Sequence, residues 1–167
     1  KLPATLLLVI SAQVVSILSG VVLGVIAARK PNGMTSHFVT VISLVGYAAP
    51  VFWTGIMLII LFASIIPLFP IGNMVDVSVE REGFAYVMDV LHHLVLPMLT
   101  LSSIFLALYS RLARASMLDV LGSDFVRTAK AKGLSEFQVV FKHALRNALL
   151  PVVTTAGLVF SGIVSGA

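Results

Sequence analysis

The hydrophobic positions along the chain are grouped into four long apolar runs, which are separated by polar segments. A helix of about 20 residues crosses roughly 30 Å of hydrocarbon, so runs of this length predict membrane helices. The third run reaches that length only when flanking residues on both sides are included, and the fourth is still apolar where the sequence stops. The predicted spans are residues 4–28, 38–66, 91–112 and 148–167, and a polar loop, residues 113–147, joins the last two.

The composition agrees with lipid as the main solvent of the chain. Hydrophobic residues make up 59% of the sequence and charged residues 11%, with a mean hydropathy of +1.08. Soluble domains contain roughly 45–50% apolar and about 25% charged residues. A soluble domain of 167 residues would have no means of burying four such runs. We therefore predict an all-α fold, a polytopic transmembrane helix bundle in a single domain.

The basic residues are concentrated in two of the connecting segments. Nine of the eleven Lys and Arg residues follow the first span or lie between Arg111 and Arg146. The segment from Pro67 to His92 instead carries four acidic residues and one Arg. Because Lys and Arg accumulate on the cytoplasmic side of membrane proteins, residues 113–147 are predicted to be cytoplasmic and the first span to run from outside to inside.

The predicted spans contain no Asp, Glu, Lys or Arg near their centres. Carriers driven by protons or sodium usually place an ionisable group there, so an external energy source is favoured. Pro50 in the second span and Pro97 in the third are expected to weaken or kink their helices. Whether these prolines take part in gating or are simply tolerated stays open.

Small residues recur four positions apart in the first and last spans. Ser16, Gly20 and Gly24 form one row, and Gly157 and Ser161 begin another that continues to Ser165. Such rows allow helix backbones to approach closely, so we expect a tightly packed bundle.

The cytoplasmic loop predicts two short helices that meet at a sharp corner. Ser123 or Asp124 is suited to cap the first helix, and Gly133 supplies the left-handed residue that ends it. Together with Leu134, Gly133 is expected to form an exposed elbow. The second helix begins with a capping box formed by Ser135 and Gln138. Its predicted apolar face consists of Phe137, Val140, Phe141, Ala144 and Leu145.

A basic helical pair with a glycine corner is also found in proteins that read DNA. Here almost no linker separates the second helix from the last span, so the pair is held against the bilayer and nucleic acid is excluded as a partner. A basic face that meets only anionic membrane lipid is the stronger alternative.

The loop also carries a family resemblance. The run from Asp124 to Ser135, followed by residues 143–153, closely resembles the cytoplasmic loop of the dipeptide/oligopeptide/nickel permeases of ABC importers. Residues 2–6, 50–55, 93–97 and 114–118 extend the likeness over the whole chain. The resemblance implies that the loop is an EAA-type coupling element that docks on an ATPase. The residues implied in coupling are Arg127, Thr128, Ala129, Lys130, Lys132, Gly133, Leu134 and Ser135.

The loop departs from the EAA motif at two positions. Ala129 and Gly133 match its alanine and glycine, whereas Arg127 stands in place of its glutamate and Thr128 in place of its first alanine. The interval from Gly133 to Pro151 is longer than in sugar-importer permeases, which favours the peptide-type subfamily.

The resemblance further implies the partners and the substrate class. The expected partners are ABC ATPase subunits, a second homologous permease subunit, an extracytoplasmic solute-binding protein and membrane lipid. The expected substrates are peptides, with nickel or another small solute as the alternative. Family members normally have six spans, so we expect one further span before Lys1 and one after Ala167.

No chemistry of catalysis or cofactor binding is predicted. The sequence has no cysteine and no Gly-rich nucleotide-binding motif. The adjacent His92 and His93 would point about 100° apart on a helix and make a poor metal-chelating pair. We predict a transport subunit without cofactor, metal site or enzymatic activity of its own. Two other classes are weighed: a membrane anchor that docks a soluble partner without transport, and an intramembrane enzyme, which the missing catalytic residues disfavour.

Overall fold

The computed structural model describes residues 2–166, with the side chains described as far as Gly162. This part of the chain contains helices and no strand, as predicted. Two π-helical segments continue or precede α-helices: the first π-segment, Ile60–Ile65, and the second π-segment, Gln138–Ala144. The α-helices are α1 Leu2–Arg29, α2 Met34–Ala48, α3 Val51–Ile59, α4 Gly83–Leu121, α5 Asp124–Ala131 and α6 Leu145–Gly166.

The helices α1 and α4 form the centre of the bundle and run parallel to each other. A Cβ atom added at Gly20 would lie 2.8 Å from the Cβ of Tyr109, and one added at Gly24 would lie 2.7 Å from the Cβ of Ala113. Each of the two helices therefore advances by four residues between the two contacts, and both advance in the same direction. The distances also confirm that the first row of small residues allows backbones to meet closely.

The segment between α1 and α4 must carry the chain back across the bundle, because the two helices are parallel. As the chain advances through α2 and α3, its contacts move back along α4 from higher to lower residue numbers. Ser43 shares a 2.7 Å hydrogen bond with Ser110, and further on a Cβ at Gly55 would lie 3.2 Å from Thr100. The second apolar run thus returns antiparallel to α4, even though it is not one straight helix.

The second predicted span is broken into two helices at a sharp corner. Met34–Ala48 and Val51–Ile65 are bent by 102° relative to each other. Pro50 disfavours helical geometry at the residue before it, and Ala49 accordingly has an extended conformation with ψ 130°. The kink predicted at Pro50 is therefore confirmed. By contrast, α4 continues through Pro97 without a break.

Three helical stretches in the described residues are long and apolar enough to cross a membrane, and the bent pair makes a fourth if it is one span. The largest departure from the predicted boundaries is α4, which has 39 residues rather than the 22 of residues 91–112. At 1.5 Å per residue it is about 58 Å long, so both ends extend beyond the hydrocarbon. Apolar runs reveal only the part of a helix that faces lipid, and α4 continues through polar residues up to Leu121.

The loop between Ile66 and Glu82 is fastened to the beginning of α4. Asp89 is buried there, accepts a 2.8 Å hydrogen bond from the backbone N–H of Asp76 and pairs with Arg81. His93 lies 3.5 Å from the same carboxylate, while a ring nitrogen of His92 lies 2.8 Å from the carbonyl oxygen of Leu68. His92 therefore holds loop and helix together, whereas His93 contacts Asp89 within α4 itself. In the described part of the chain, no three His, Asp or Glu side chains converge to hold a metal ion.

Candidate coupling site

The beginning of α5 lacks the predicted side-chain cap. Ser123 occupies the N-cap position, but its hydroxyl donates to the carbonyl of Val120 at 2.5 Å instead of accepting from an N–H of α5. The carboxylate of Asp124 lies 3.5 Å from Arg127, and both side chains are exposed. The prediction of a cap at Ser123 or Asp124 is wrong, because the hydroxyl finds an acceptor in the last turn of α4.

Five apolar residues fasten α5 and the second π-segment to each other, and four more join them to the ends of α1 and α4 and to the beginning of α6. All nine are buried, and Val126, Met117 and Val139 are fully inaccessible. We name the set the junction cluster; it consists of Val25, Ala28, Met117, Val126, Ala129, Val139, Val140, Ala144 and Ala148. The loop is therefore packed against the bundle, so displacement of α5 would be transmitted to α1 and α4.

The predicted glycine corner is confirmed. Gly133 has φ +77°, a left-handed conformation that residues with a Cβ rarely adopt. Its N–H donates to the carbonyl of Lys130 at 3.0 Å, and the N–H of Leu134 donates to that of Ala129 at 3.4 Å. These two bonds are the pair that defines a Schellman motif. No atom lies within 4 Å of a Cβ built at Gly133, so conformation rather than space requires glycine here.

The sequence predicted that Leu134 is exposed, but its side chain is half-buried against the junction cluster. A hydrophobic residue just after a Schellman motif often packs back on its helix, and Leu134 does so. The capping box that follows is confirmed. The backbone N–H of Ser135 donates to Oε1 of Gln138 at 3.2 Å, and the N–H of Gln138 donates to Oγ of Ser135 at 3.4 Å. The elbow is thus stiffened from both sides.

The apolar face predicted for the second helix is only partly right. Val140 and Ala144 are buried as expected, but Val139 is buried too, while Phe137 is 68% exposed. Phe141 is also exposed, with its ring centre 4.6 Å from that of Phe137. The reason is the second π-segment, in which each residue turns through a smaller angle than in an α-helix. The helical spacing used for the prediction therefore does not apply.

Six of the eight residues implied in coupling lie on one exposed surface, and the other two lie beneath it. Ala129 is buried in the junction cluster, and Leu134 is half-buried. The other six are exposed or have no side chain: Arg127, Thr128, Lys130, Lys132, Gly133 and Ser135. The exposed side chains include those of Arg127, Lys130 and Lys132, so the surface is cationic. An exposed cationic surface is suited to dock a protein rather than to enclose a small substrate. Pro50 and Pro97 lie elsewhere in the bundle.

The sequence did not predict two contacts of this region. Arg29 at the end of α1 pairs with Glu136 at 3.1 Å, and Arg114 of α4 donates to the hydroxyl of Ser36 at 3.1 Å. The residues of the first pair are 107 positions apart, and no local pattern brings such positions together. The only signal was their placement in segments predicted to share the cytoplasmic side.

Comparison with known proteins identifies the family of the chain. Residues 20–167 match the family described as the binding-protein-dependent transport system inner membrane component. The di/tripeptide transport system permease protein of Pseudomonas aeruginosa is 41% identical, over 99% of this chain and 53% of its own length. The oligopeptide transport system permease protein of Bacillus subtilis is 39% identical, over 99% and 51%.

The dipeptide transport system permease protein of Escherichia coli is 38% identical, over 100% of this chain and 54% of its own length. The chain therefore spans about half the length of the curated relatives it matches. The family match covers most of the chain and includes the elbow. The chain belongs to the family of binding-protein-dependent transport system inner membrane components, multi-pass proteins of the inner membrane.

Proposed function

We propose that the chain is part of the transmembrane permease subunit of an ATP-driven importer of peptides. The observation that carries the proposal is the exposed cationic surface around the elbow, residues 127–135, which the junction cluster fastens to α1 and α4. The names of the relatives, which specify di/tripeptide, dipeptide and oligopeptide transport, support peptides as the substrate class. Nickel or another small solute is the alternative substrate.

The partners of the proposed importer are ABC ATPase subunits, a second homologous permease subunit and an extracytoplasmic solute-binding protein. The family description supports the dependence on a binding protein. The second half of α6 supports a further membrane partner, because nothing lies within 4 Å of a Cβ built at Gly157. In the described residues, no other helix is packed closely on α6 at this position.

In the proposed mechanism, the ATPase subunits close on ATP and push the elbow. The Schellman motif and the capping box keep α5 and the second π-segment at a fixed angle, so the displacement reaches the junction cluster. From there α1, α4 and α6 move together. The corner at Pro50 separates α2 from α3 and supplies a point at which the bundle bends, and the result is alternating access.

The elbow is tested by substitutions at Gly133 in the full permease, assembled with its ATPase. Gly133→Val places a β-branched residue in a left-handed conformation, at a cost of about 1–2 kcal/mol, and is expected to uncouple uptake from ATP hydrolysis. Gly133→Asn is expected to retain most of the coupling, because Asn tolerates this conformation. Substrate-stimulated ATPase activity and uptake into vesicles are measured together.

Gly122→Ala is the matched control, because it lies in the same loop. Gly122 has φ −80°, and an added Cβ would meet its neighbours at 3.5 Å. We expect this variant to behave like the wild type. Normal coupling in Gly133→Val would overturn the assignment of the elbow. ATPase binding without nucleotide-dependent uptake by the wild type would favour the membrane anchor that does not transport.

A further inference from the structure

A basic cavity lies beside the junction cluster, at the base of the cytoplasmic loop. It has a volume of about 550 Å³ and is lined by Phe125, Lys142, His143, Arg146 and Asn147. No carboxylate takes part in its lining. We infer that this cavity binds the phosphate group of an anionic phospholipid from the cytoplasmic leaflet.

The level of the cavity in the molecule points to a lipid. Phe125 is the second residue of α5, four positions after α4 ends at Leu121, and so lies close to the membrane end of the loop. Arg146 and Asn147 lie in the first turn of α6, and residues 148–162 beyond them contain no charged residue. The walls of the cavity thus come from both ends of the loop. Arg146 and Asn147 directly precede the uncharged stretch of α6, which is the position expected of groups that meet lipid headgroups.

The charges of the cavity are not neutralised within the protein. Lys142 and Arg146 are exposed, and neither has a carboxylate within 4.0 Å or a side-chain hydrogen bond in the described part of the chain. The nearest acidic residue in sequence to Phe125 is Asp124, whose carboxylate already faces Arg127. Two cations that line one cavity without a counterion favour the binding of an anion, and a phosphodiester is one such anion.

The other lining groups complete a phosphate site. A guanidinium ion and an ammonium ion donate to phosphate oxygens, and His143 offers a ring N–H in either neutral tautomer. One N–H of the Asn147 amide donates to the carbonyl of His143 at 3.2 Å, which leaves its second N–H for a ligand. The ring of Phe125 gives the cavity an apolar wall, against which the glycerol and first methylenes of a lipid would pack. Basic pockets between membrane helices on the cytoplasmic side bind lipid headgroups of this kind.

A lipid is favoured over the ATPase as the occupant for a geometric reason. The proposed docking surface is centred on Gly133, which follows the end of α5 opposite to Phe125. The cavity is concave and adjoins the apolar part of α6. The lipid site shares no residue with the docking surface, and the inference does not depend on the coupling role.

The test uses the full permease complex in detergent, titrated with short-chain phosphatidylglycerol or phosphatidylcholine and analysed by native mass spectrometry. The double substitution Lys142→Gln and Arg146→Gln is compared with Lys130→Gln and Lys132→Gln, which removes the same charge from the elbow. We expect the wild type and the elbow variant to prefer phosphatidylglycerol. The cavity variant is expected to bind it about tenfold more weakly, since each basic residue near a membrane surface adds to the attraction.

Further measurements separate the sources of phosphate and guard against misfolding. The charge-preserving exchange of Lys142→Arg with Arg146→Lys is expected to restore binding. Inorganic phosphate that displaces the lipid at equal concentration would show a site for the free ion and overturn the lipid assignment. Equal binding of the two lipids by the wild type would also overturn it. So would unchanged lipid binding with loss of the ATPase subunits from the cavity variant, because the cavity would then be a protein interface.

Discussion

At the scale of single residues, the bundle depends on a few positions where α1 and α4 touch. Gly24 is the tightest of them. A Cβ there would lie 2.7 Å from both the Cβ of Ala113 and the carbonyl oxygen of Ser110. The second of these is backbone and has no room to move unless the helices separate. The need for small residues was readable from their spacing, but the partner helix was not, because spacing in one segment carries no information about the other.

Gly24→Ala is therefore expected to destabilise the protein by about 1–3 kcal/mol, the range found for overpacked cores. Thermal unfolding in detergent measures the effect. Gly46→Ala is the matched control, because Gly46 also faces α4 but an added Cβ would lie 3.3 Å from the carbonyl oxygen of Ser103. Gly46→Ala is expected to lose clearly less stability, and equal losses in the two variants would show that the close contact at Gly24 is not the cause.

A buried polar pair also links the two helices. The hydroxyl of Tyr109 donates to Oε1 of Gln13 at 2.9 Å, and the Nε2 of Gln13 has no partner among the described residues. Tyr109→Phe is expected to destabilise the protein by about 1 kcal/mol or more, since it leaves the buried amide unpaired. Adding Gln13→Leu removes both partners and should recover part of the loss. A double-mutant cycle of unfolding free energies measures the coupling between Tyr109 and Gln13. Simple additivity of the two substitutions would show that the two side chains are not coupled.

At the scale of elements, sequence predicted which runs are helical better than where the helices break. The corner at Pro50 follows from a local steric rule and was predictable. The full length of α4 was not, because its ends leave the hydrocarbon and lose the apolar signal. The second π-segment, Gln138–Ala144, was not predictable either, since it depends on packing around the junction cluster rather than on the residues' own preferences. That segment alone explains why Phe137 is exposed and Val139 is buried.

The loop between Ile66 and Glu82 offers a test at this scale. Asp89 is buried and pairs with Arg81, so Asp89→Asn leaves Arg81 without its closest counterion and weakens the hydrogen bond from Asp76. We expect faster hydrogen exchange throughout the loop in this variant. Glu80→Gln is the control, because Glu80 is exposed and has no ion pair in the described residues. Unchanged exchange in Asp89→Asn would show that the ion pair does not hold the loop.

The same loop has a predicted response to acid. Hydrogen bonds from Ser78, and the positive charge of Arg81, hold the pKa of Asp76 below its usual value of 3.8. A carboxylate with a lowered pKa stabilises the fold above its unfolded pKa, and that contribution is lost as the pH falls through the folded value. The turn at Asp76 should therefore persist from neutral pH to about pH 4 and loosen below it. Amide exchange at Ser78 measured against pH checks this, and loosening that begins near pH 6 would contradict it.

At the scale of the whole molecule, the parallel α1 and α4 place the basic loop and the loop fastened by Asp89 at opposite ends of the bundle. The residues of the elbow were identified from the sequence because their motif is local. Their attachment to the bundle, through the junction cluster and the Arg29–Glu136 pair, was not, because these contacts join distant segments. The structure thus adds a physical route by which an event at the elbow reaches the membrane helices.

The central claim is that the elbow meets the ATPase on the cytoplasmic side. Single cysteines at Ser135 and Val77, each in a cysteine-free background of the full permease, are cross-linked to cysteines on the ATPase in membrane vesicles. Ser135→Cys is predicted to form an adduct whose yield changes with ATP, while Val77→Cys, on the opposite loop, forms none. An adduct through Val77, or labelling of Ser135→Cys by an impermeant reagent applied outside intact cells, would contradict the account.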